Sequence, residues 1–154
     1  TYSLAKKRPK RGIQRKLTDC PTTNRSTITI AQDILMVEWE DEDNDMHLTT
    51  YTILDSSKGL TFEYLKDYPL NVSTNEFVSV SGIDNEFFVG YVDSNDKYMH
   101  VKSYTIEADK TLTSGSSVRI TEKPATGFSL AVDDKGKIYT AYKDRDGEIN
   151  IYKK

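Results

Sequence analysis

The chain has 154 residues, of which 36 % are hydrophobic and 29 % charged, and its formal net charge is −3. This length is enough for one domain with a core, and the composition is that of a globular protein with a large solvated surface. No apolar run reaches the roughly 18 residues that a membrane-spanning helix needs, and one cysteine, Cys20, excludes an internal disulfide framework. Nothing in these features fixes the compartment.

The first predicted element is a basic N-terminal arm, residues 1–20. Residues 1–16 hold seven basic side chains and no acidic one. These are Lys6, Lys7, Arg8, Lys10, Arg11, Arg15 and Lys16. Such a run suits nucleic acid, anionic lipid or an acidic partner, although a solvated tail or a processing remnant has the same composition. Residues 12–20 are predicted to contribute the one strand that the third copy of the repeat below lacks.

Residues 21–154 contain an internal repeat in three copies, at about 26–73, 74–124 and 125–154. The copies align on Trp39, Tyr91 and Tyr142, which are 52 and 51 residues apart. The first copy predicts strands at 26–32, 34–39, 46–53 and 60–72. The second predicts strands at 77–82, 87–92, 99–106 and 112–124, and the third at 128–133, 138–142 and 148–154. These segments alternate apolar and polar residues or are rich in β-branched and aromatic ones, as strands are.

Four short antiparallel strands in about fifty residues, repeated, are typical of a β-propeller blade. The sequence therefore predicts an all-β, β-propeller-like fold with about three four-stranded blades. The alternative is a β-sandwich or jelly roll. Because propellers close with roughly four to eight blades, three blades form an incomplete ring. We expect a second copy or a partner chain to complete it, because unpaired edges and apolar faces are rarely left bare.

The third copy, "GFSLAVDDKGKIYTAYKDRDGEINIYKK", resembles the blades of bacterial and eukaryotic β-propeller repeat proteins. The resemblance extends over residues 26–154 and implies the architecture alone. The Gly-His and Trp-Asp pair of WD40 blades, the double glycine of kelch blades and the aspartate box of sialidases are missing from the sequence. The resemblance therefore implies no catalytic residue.

Acidic loops follow the second strand of each copy, as "EDEDND", "DSND" and "KDRDGE". A propeller would bring them to one face, and their candidate ligand-binding residues are Asp41, Asp43, Asp93, Asp96, Asp144 and Asp146. Asp144, Asp146 and Glu148 also offer oxygen ligands at a spacing that Ca²⁺ accepts, without the full EF-hand pattern. The alternative is that these residues form turns and keep the strand edges soluble.

The remaining reactive side chains give no catalytic pattern. His47 and His100 occupy equivalent positions, where the third copy has Asn150, and are predicted as solvated strand residues that do not converge on a metal. Cys20 has no base near it in sequence, and no nucleotide-binding or nucleophile motif occurs. The ten tyrosines suit either a carbohydrate- or peptide-binding groove or the packing between blades, which the repeated Tyr51 and Tyr104 favour.

The function predicted from the sequence is a non-enzymatic binding or assembly module without a cofactor. It would form part of a larger or oligomeric β-propeller and bind protein or glycan. One alternative is a nucleic-acid-associated, coat-like protein that uses the basic arm. A second is a fragment of a glycan-processing hydrolase, for which the 24 acidic residues give no means of choosing two carboxylates.

Overall fold

The computed structural model describes residues 26–43, 45–56, 59–74 and 77–153, and these form eleven β-strands without a helix. The basic arm and its predicted closing strand at 12–20 lie outside the described residues. The prediction of an all-β fold is confirmed. The strands are β1 (Ser26–Ala31), β2 (Ile34–Glu40), β3 (Asp45–Ser56), β4 (Gly59–Ser73), β5 (Phe77–Ser81), β6 (Glu86–Val92), β7 (Met99–Ile106), β8 (Leu112–Arg119), β9 (Ala125–Val132), β10 (Ile138–Asp144) and β11 (Ile149–Lys153).

The strands form three antiparallel sheets, one for each copy of the repeat. Sheet A has the order β1-β2-β3-β4, sheet B has β5-β6-β7-β8, and sheet C has β9-β10-β11. Within each sheet, strands that are consecutive in the sequence pair with each other, and the connections β4–β5 and β8–β9 lead from one sheet to the next. Among the described residues, sheet C therefore has one strand fewer than the other two.

The register of the hairpins makes the three sheets equivalent residue by residue. Trp39, Tyr91 and Tyr142 each pair with the third strand, opposite His47, His100 and Asn150 respectively. The residues two positions before these aromatic residues are also paired equivalently in the three sheets. The pairs are Val37 with Thr49, Val89 with Lys102, and Thr140 with Tyr152.

The two faces of each sheet have different neighbours. We call the face that carries Met46 and Leu48 in sheet A, and the equivalent residues in the other sheets, the forward face. The opposite face, which carries Trp39, Tyr91 or Tyr142, is the rear face. Alternation along the strands separates the two sets, because successive side chains point to opposite sides.

Two hydrophobic cores join the sheets in the order A, B, C. The first lies between the forward face of sheet A and the rear face of sheet B, and includes Met36, Met46, Leu48, Phe87, Val89 and Tyr104. The second lies between the forward face of sheet B and the rear face of sheet C, and includes Met99, Val101, Ile120, Leu130 and Ile138. The backbones approach most closely at the first strands, where β1 contacts β5 and β5 contacts β9.

Candidate functional site

The first acidic loop is a turn held by the carboxylate of Asp41. Its Oδ1 accepts hydrogen bonds from the backbone N–H groups of Asp43 and Asp45, both at 2.9 Å. Its Oδ2 lies 3.2 Å from Nε2 of His47. The backbone hydrogen bond from Asp45 is the largest of the effects that hold the pKa of Asp41 below its usual value. The carboxylate therefore stays ionised while it holds the loop.

The third acidic loop repeats this arrangement at the same spacings. Asp144 is buried, and its Oδ1 accepts the N–H groups of Asp146 and Glu148 at 3.0 Å. Its Oδ2 accepts from Nδ2 of Asn150 at 3.2 Å and from Nζ of Lys123 at 3.3 Å. Burial opposes the charge of Asp144, but these donors outweigh it and lower its pKa. Lys123 also reaches Asp146 at 3.1 Å.

The second acidic loop uses two aspartates for the same purpose. Asp93 Oδ1 accepts the N–H of Asn95 at 2.7 Å, and Asp96 Oδ1 accepts the N–H of Tyr98 at 2.8 Å. The other oxygen of Asp96 lies 2.9 Å from Nε2 of His100. Each loop thus joins an aspartate to the side chain that lies opposite the repeated aromatic residue, namely His47, His100 or Asn150.

Each loop holds two of the six predicted aspartates. In the third loop, Lys123 contacts both Asp144 and Asp146. Among the described residues, no three His, Cys, Asp or Glu side chains are grouped closely enough to hold a metal ion. The carboxylate oxygens of Asp41 and Asp144 already accept the hydrogen bonds of their own loops. Asp41 and Asp144 therefore have the turn-forming role that the sequence offers as the alternative to ligand binding.

A hydrogen-bonded chain that the sequence did not predict runs across sheet A. Nε1 of Trp39 donates to Oγ1 of Thr49 at 2.9 Å, and Thr49 donates to Oδ1 of Asp67 at 2.8 Å. The other oxygen of Asp67 lies 2.9 Å from Nδ1 of His47, whose ring stacks on Trp39 at 4.4 Å between centroids. His47 thus lies between Asp67 and Asp41. Burial opposes its protonation, but the two carboxylates outweigh it and raise the pKa of His47.

The two histidines do not converge, since each stacks on an aromatic residue of its own sheet. His100 stacks on Tyr91 at 5.6 Å. The side chains of His47 and His100 are 19 % and 18 % exposed, so the prediction of solvated residues holds only for part of each ring. In the sequence, only the repeat indicates the Trp39–His47 contact, because Tyr91 and His100 form an aromatic–histidine pair at the equivalent positions of the second copy.

The forward face of sheet C is open among the described residues. Ile149 and Ile151 of β11 are 78 % and 81 % exposed. Their equivalents in sheet A, Met46 and Leu48, are both 0 % exposed, and those in sheet B, Met99 and Val101, are 0 % and 4 % exposed. The same structural position is therefore core in two sheets and surface in the third.

A pocket of about 270 Å³ lies between the outer half of sheet B and the β9–β10 turn. Its lining is apolar apart from the two serine hydroxyls, and consists of Phe88, Val101, Ser103, Ser116, Val118, Ile120, Gly136 and Ile138. Gly136 has a φ of +75°, a backbone conformation that favours glycine in the β9–β10 turn.

Two buried carboxylates also lie outside the predicted sites. Glu38 and Glu40 are fully buried on the forward face of sheet A. Burial, with added repulsion from Tyr91 and Glu38, raises the pKa of Tyr104 on the facing sheet. The positions of Glu38 and Glu40 in the run "ILMVEWE" do not predict their burial, because polar residues that alternate along a strand usually face solvent.

Comparison of the chain with protein-family models, curated proteins and solved structures found no match. None of the described residues form a helix that is long and apolar enough to cross a membrane. The seven basic residues of the arm lie outside the described part of the chain.

Proposed function

We propose that the chain is a non-enzymatic assembly module of β-propeller-like architecture, whose three sheets pack against those of a second copy. The observation that carries this proposal is the exposure of Ile149 and Ile151 at positions that are core in sheets A and B. Burying two isoleucine side chains stabilises an interface by about 1.5–3 kcal/mol each. A sheet face that is apolar and open is also an aggregation hazard unless a partner covers it.

The repeated stacking supports a head-to-tail arrangement. Within the chain, forward faces pack on rear faces twice, and sheet A presents the one rear face that no described sheet covers. On that rear face Ile28 and Ile30 of β1 are exposed. The rest of this face, which carries Leu35, Val37, Trp39 and Tyr51, is already buried. The forward face of sheet C would therefore pack on the exposed part at β1. Two chains would supply six sheets, within the usual range of closed propellers.

Charge also favours head-to-tail packing. The forward face of sheet C carries Lys143 and Lys153, which flank the isoleucines on β10 and β11. The rear side of sheet A carries the carboxylates of Asp41 and Asp67 beside His47. Opposite charges at the rim of an interface fix its orientation and speed association more than they add affinity.

The test is the solution mass across a concentration series, at low and at high salt. The chain of 17.5 kDa should approach twice its mass as concentration rises, and Ile151→Lys should remain a monomer. Leu54→Lys, at an exposed leucine outside sheet C, is the matched control and should still dimerise. A wild-type chain that stays monomeric at all concentrations would overturn the proposal.

A further inference from the structure

Two carboxylates that neither the predicted sites nor the proposed dimer uses lie in the core between sheets A and B. Glu38 and Glu40 are two residues apart on β2, so both point to the forward face of sheet A, and both are fully buried. Neither carboxylate is free of interactions. The facing side of sheet B contributes apolar residues such as Phe87 and Val89 to this core. Because buried carboxylates persist where a cation or hydrogen-bond donors compensate them, this burial favours a cation beside them.

The register of the first hairpin shows where the N-terminal segment, residues 1–25, joins the fold. Ser26, the first described residue of β1, pairs with Trp39 near the end of β2. The N-terminal segment therefore reaches sheet A at the end of the sheet where the first acidic loop begins, which we call the acidic-loop end. Continuing the antiparallel register by one residue would bring position 25 opposite Glu40, and that residue is Arg25. Opposing side chains of an antiparallel pair share a face, with Cβ atoms about 5 Å apart.

We infer that the N-terminal segment docks on the acidic-loop end of its own chain, and that Arg25 anchors it by an ion pair with Glu40 and Glu38. Glu40 is the directly opposing residue and Glu38 the diagonal one, and a long side chain reaches both positions. A guanidinium presents several N–H donors in a planar fork and is more weakly hydrated than an ammonium, so it suits carboxylates that have left water.

Charge complementarity extends beyond the anchor. Residues 1–16 hold seven basic side chains, and all 24 acidic side chains lie in the rest of the chain. The first acidic loop, "EDEDND", starts at Glu40 itself, and Lys16 lies nine residues before Arg25. Because nine residues span up to about 30 Å, the basic side chains can reach the acidic loops from this anchor. The N-terminal segment is therefore an intramolecular partner of the acidic-loop end, and a cationic ligand of these loops has to displace it.

Two described cations lie on the facing sheet. Lys102 on β7 and Arg119 on β8 both belong to the rear face of sheet B. Nζ of Lys102 lies 5.5 Å from the ring centroid of Tyr104, and the guanidinium of Arg119 lies 4.4 Å from that of Tyr98. Each of them thus contacts an aromatic ring of its own sheet, whereas Arg25 is the cation that the register brings opposite the buried carboxylates.

The test is a double-mutant cycle on the full chain, measured by urea unfolding at a concentration well below that of any self-association. Arg25→Gln should lower the equilibrium constant for folding on the order of 100-fold, because it removes the cation from a buried pair. In the Glu40→Gln background the same change should lower it by less than about threefold. Arg15→Gln, the matched control in the same segment, should change it by less than about threefold in both backgrounds.

A measurement on the unaltered chain covers the case in which a variant does not fold. Hydrogen exchange of the arginine Nε–H groups, followed by NMR, should be slow for Arg25 and fast for Arg15, because only a buried and paired group is protected. Equally fast exchange of the two would overturn the inference. An effect of Arg25→Gln that persists undiminished in the Glu40→Gln background would also overturn it, as would coupling of Lys102→Gln with Glu40→Gln in place of Arg25. None of these outcomes depends on the proposed dimer, which uses sheet C.

Discussion

His47 Nδ1 and Asp67 Oδ2 lie 2.9 Å apart, and the second ring nitrogen of His47 lies 3.2 Å from Asp41 Oδ2. A histidine between two carboxylates is stabilised in its protonated form. Its pKa in the folded protein is raised above the ordinary value of about 6.5 that it has in the unfolded chain. The stabilisation is therefore complete below about pH 6.5 and is lost as pH rises through the folded pKa.

We predict that His47→Asn flattens the pH dependence of unfolding. The wild type should lose roughly 1 kcal/mol or less of unfolding free energy as the pH rises from 6 to 9, because the carboxylates are partly solvated. The variant should lose less over the same range, since asparagine does not titrate. Urea unfolding at several pH values measures this, with His100→Asn, which has one carboxylate partner, as the control. Identical slopes for wild type and His47→Asn would contradict the prediction.

The one tryptophan gives an independent measurement of this titration. Trp39 stacks on His47 at 4.4 Å, with 14° between the ring planes. Because a protonated imidazole quenches a stacked indole, fluorescence should rise with pH, with a midpoint above about 6.5. His47→Asn should abolish the transition. A transition that survives in this variant would assign the quenching to another group.

The acceptor of the Trp39 N–H gives a second prediction. Thr49→Val keeps the shape of the side chain and removes both the acceptor for Trp39 and the donor to Asp67. Because the indole N–H is left without this partner in a buried site, we expect a loss of about 1–3 kcal/mol in unfolding free energy. Thr113→Val, at an exposed threonine of β8, should change it by less than about 0.5 kcal/mol. Equal effects in chemical denaturation would show that the hydrogen bond does not matter.

Gly90 is predicted to be essential for the packing of sheet B on sheet C. A Cβ at this position would lie 3.0 Å from the ring of Phe128, 3.2 Å from Leu130 and 3.2 Å from Met99. Gly90→Ala therefore requires these side chains to shift by a few tenths of an ångström, and we expect it to lower the free energy of unfolding by about 1 kcal/mol. Ser129→Ala, on the exposed face of β9, is the control for thermal unfolding. A variant as stable as the wild type would mean that the core between these sheets is loosely packed.

Equivalent positions in sheets A and C should respond differently to truncation. Leu48→Ala removes a fully buried side chain and should cost about 2–5 kcal/mol in unfolding free energy. Ile151→Ala should leave the stability of the monomer within about 0.5 kcal/mol and weaken association instead. Unfolding at low protein concentration, combined with light scattering at high concentration, separates the two effects. A large loss of monomer stability in Ile151→Ala would show that Ile151 is already covered within the chain.

We also predict that Ca²⁺ leaves the third acidic loop unchanged. Asp144 accepts two backbone N–H groups, Asn150 and Lys123, so a cation would have to displace donors that already compensate its charge. Millimolar Ca²⁺ should therefore not shift the unfolding temperature, whereas Asp144→Asn should lower it. Asp146→Asn, at an exposed carboxylate, should have a smaller effect. A rise in unfolding temperature with Ca²⁺ that Asp144→Asn removes would contradict this.

The repeat in the sequence located nearly all the strands, because each has a period-two pattern that local residues set. The segment predicted as 112–124 forms a strand only as far as Arg119, since Thr121 turns its hydroxyl to the backbone N–H of Met99 instead. Tyr51 and Tyr104 are both predicted to pack between sheets. Both are buried, Tyr104 between sheets A and B and Tyr51 on the rear face of sheet A, among residues of its own sheet.

The sequence by itself determined the strand order, the equivalence of Trp39, Tyr91 and Tyr142, and the acidic loops, since each depends on residues close together in the chain. Only the tertiary structure decided the contact of His47 with Asp67, because a bulge at Thr50 and Tyr51 sets the register of β4 against β3. It also decided that Ile151 is exposed where Leu48 and Val101 are buried. The three residues have the same local pattern, and what covers each one depends on which sheet lies next to it.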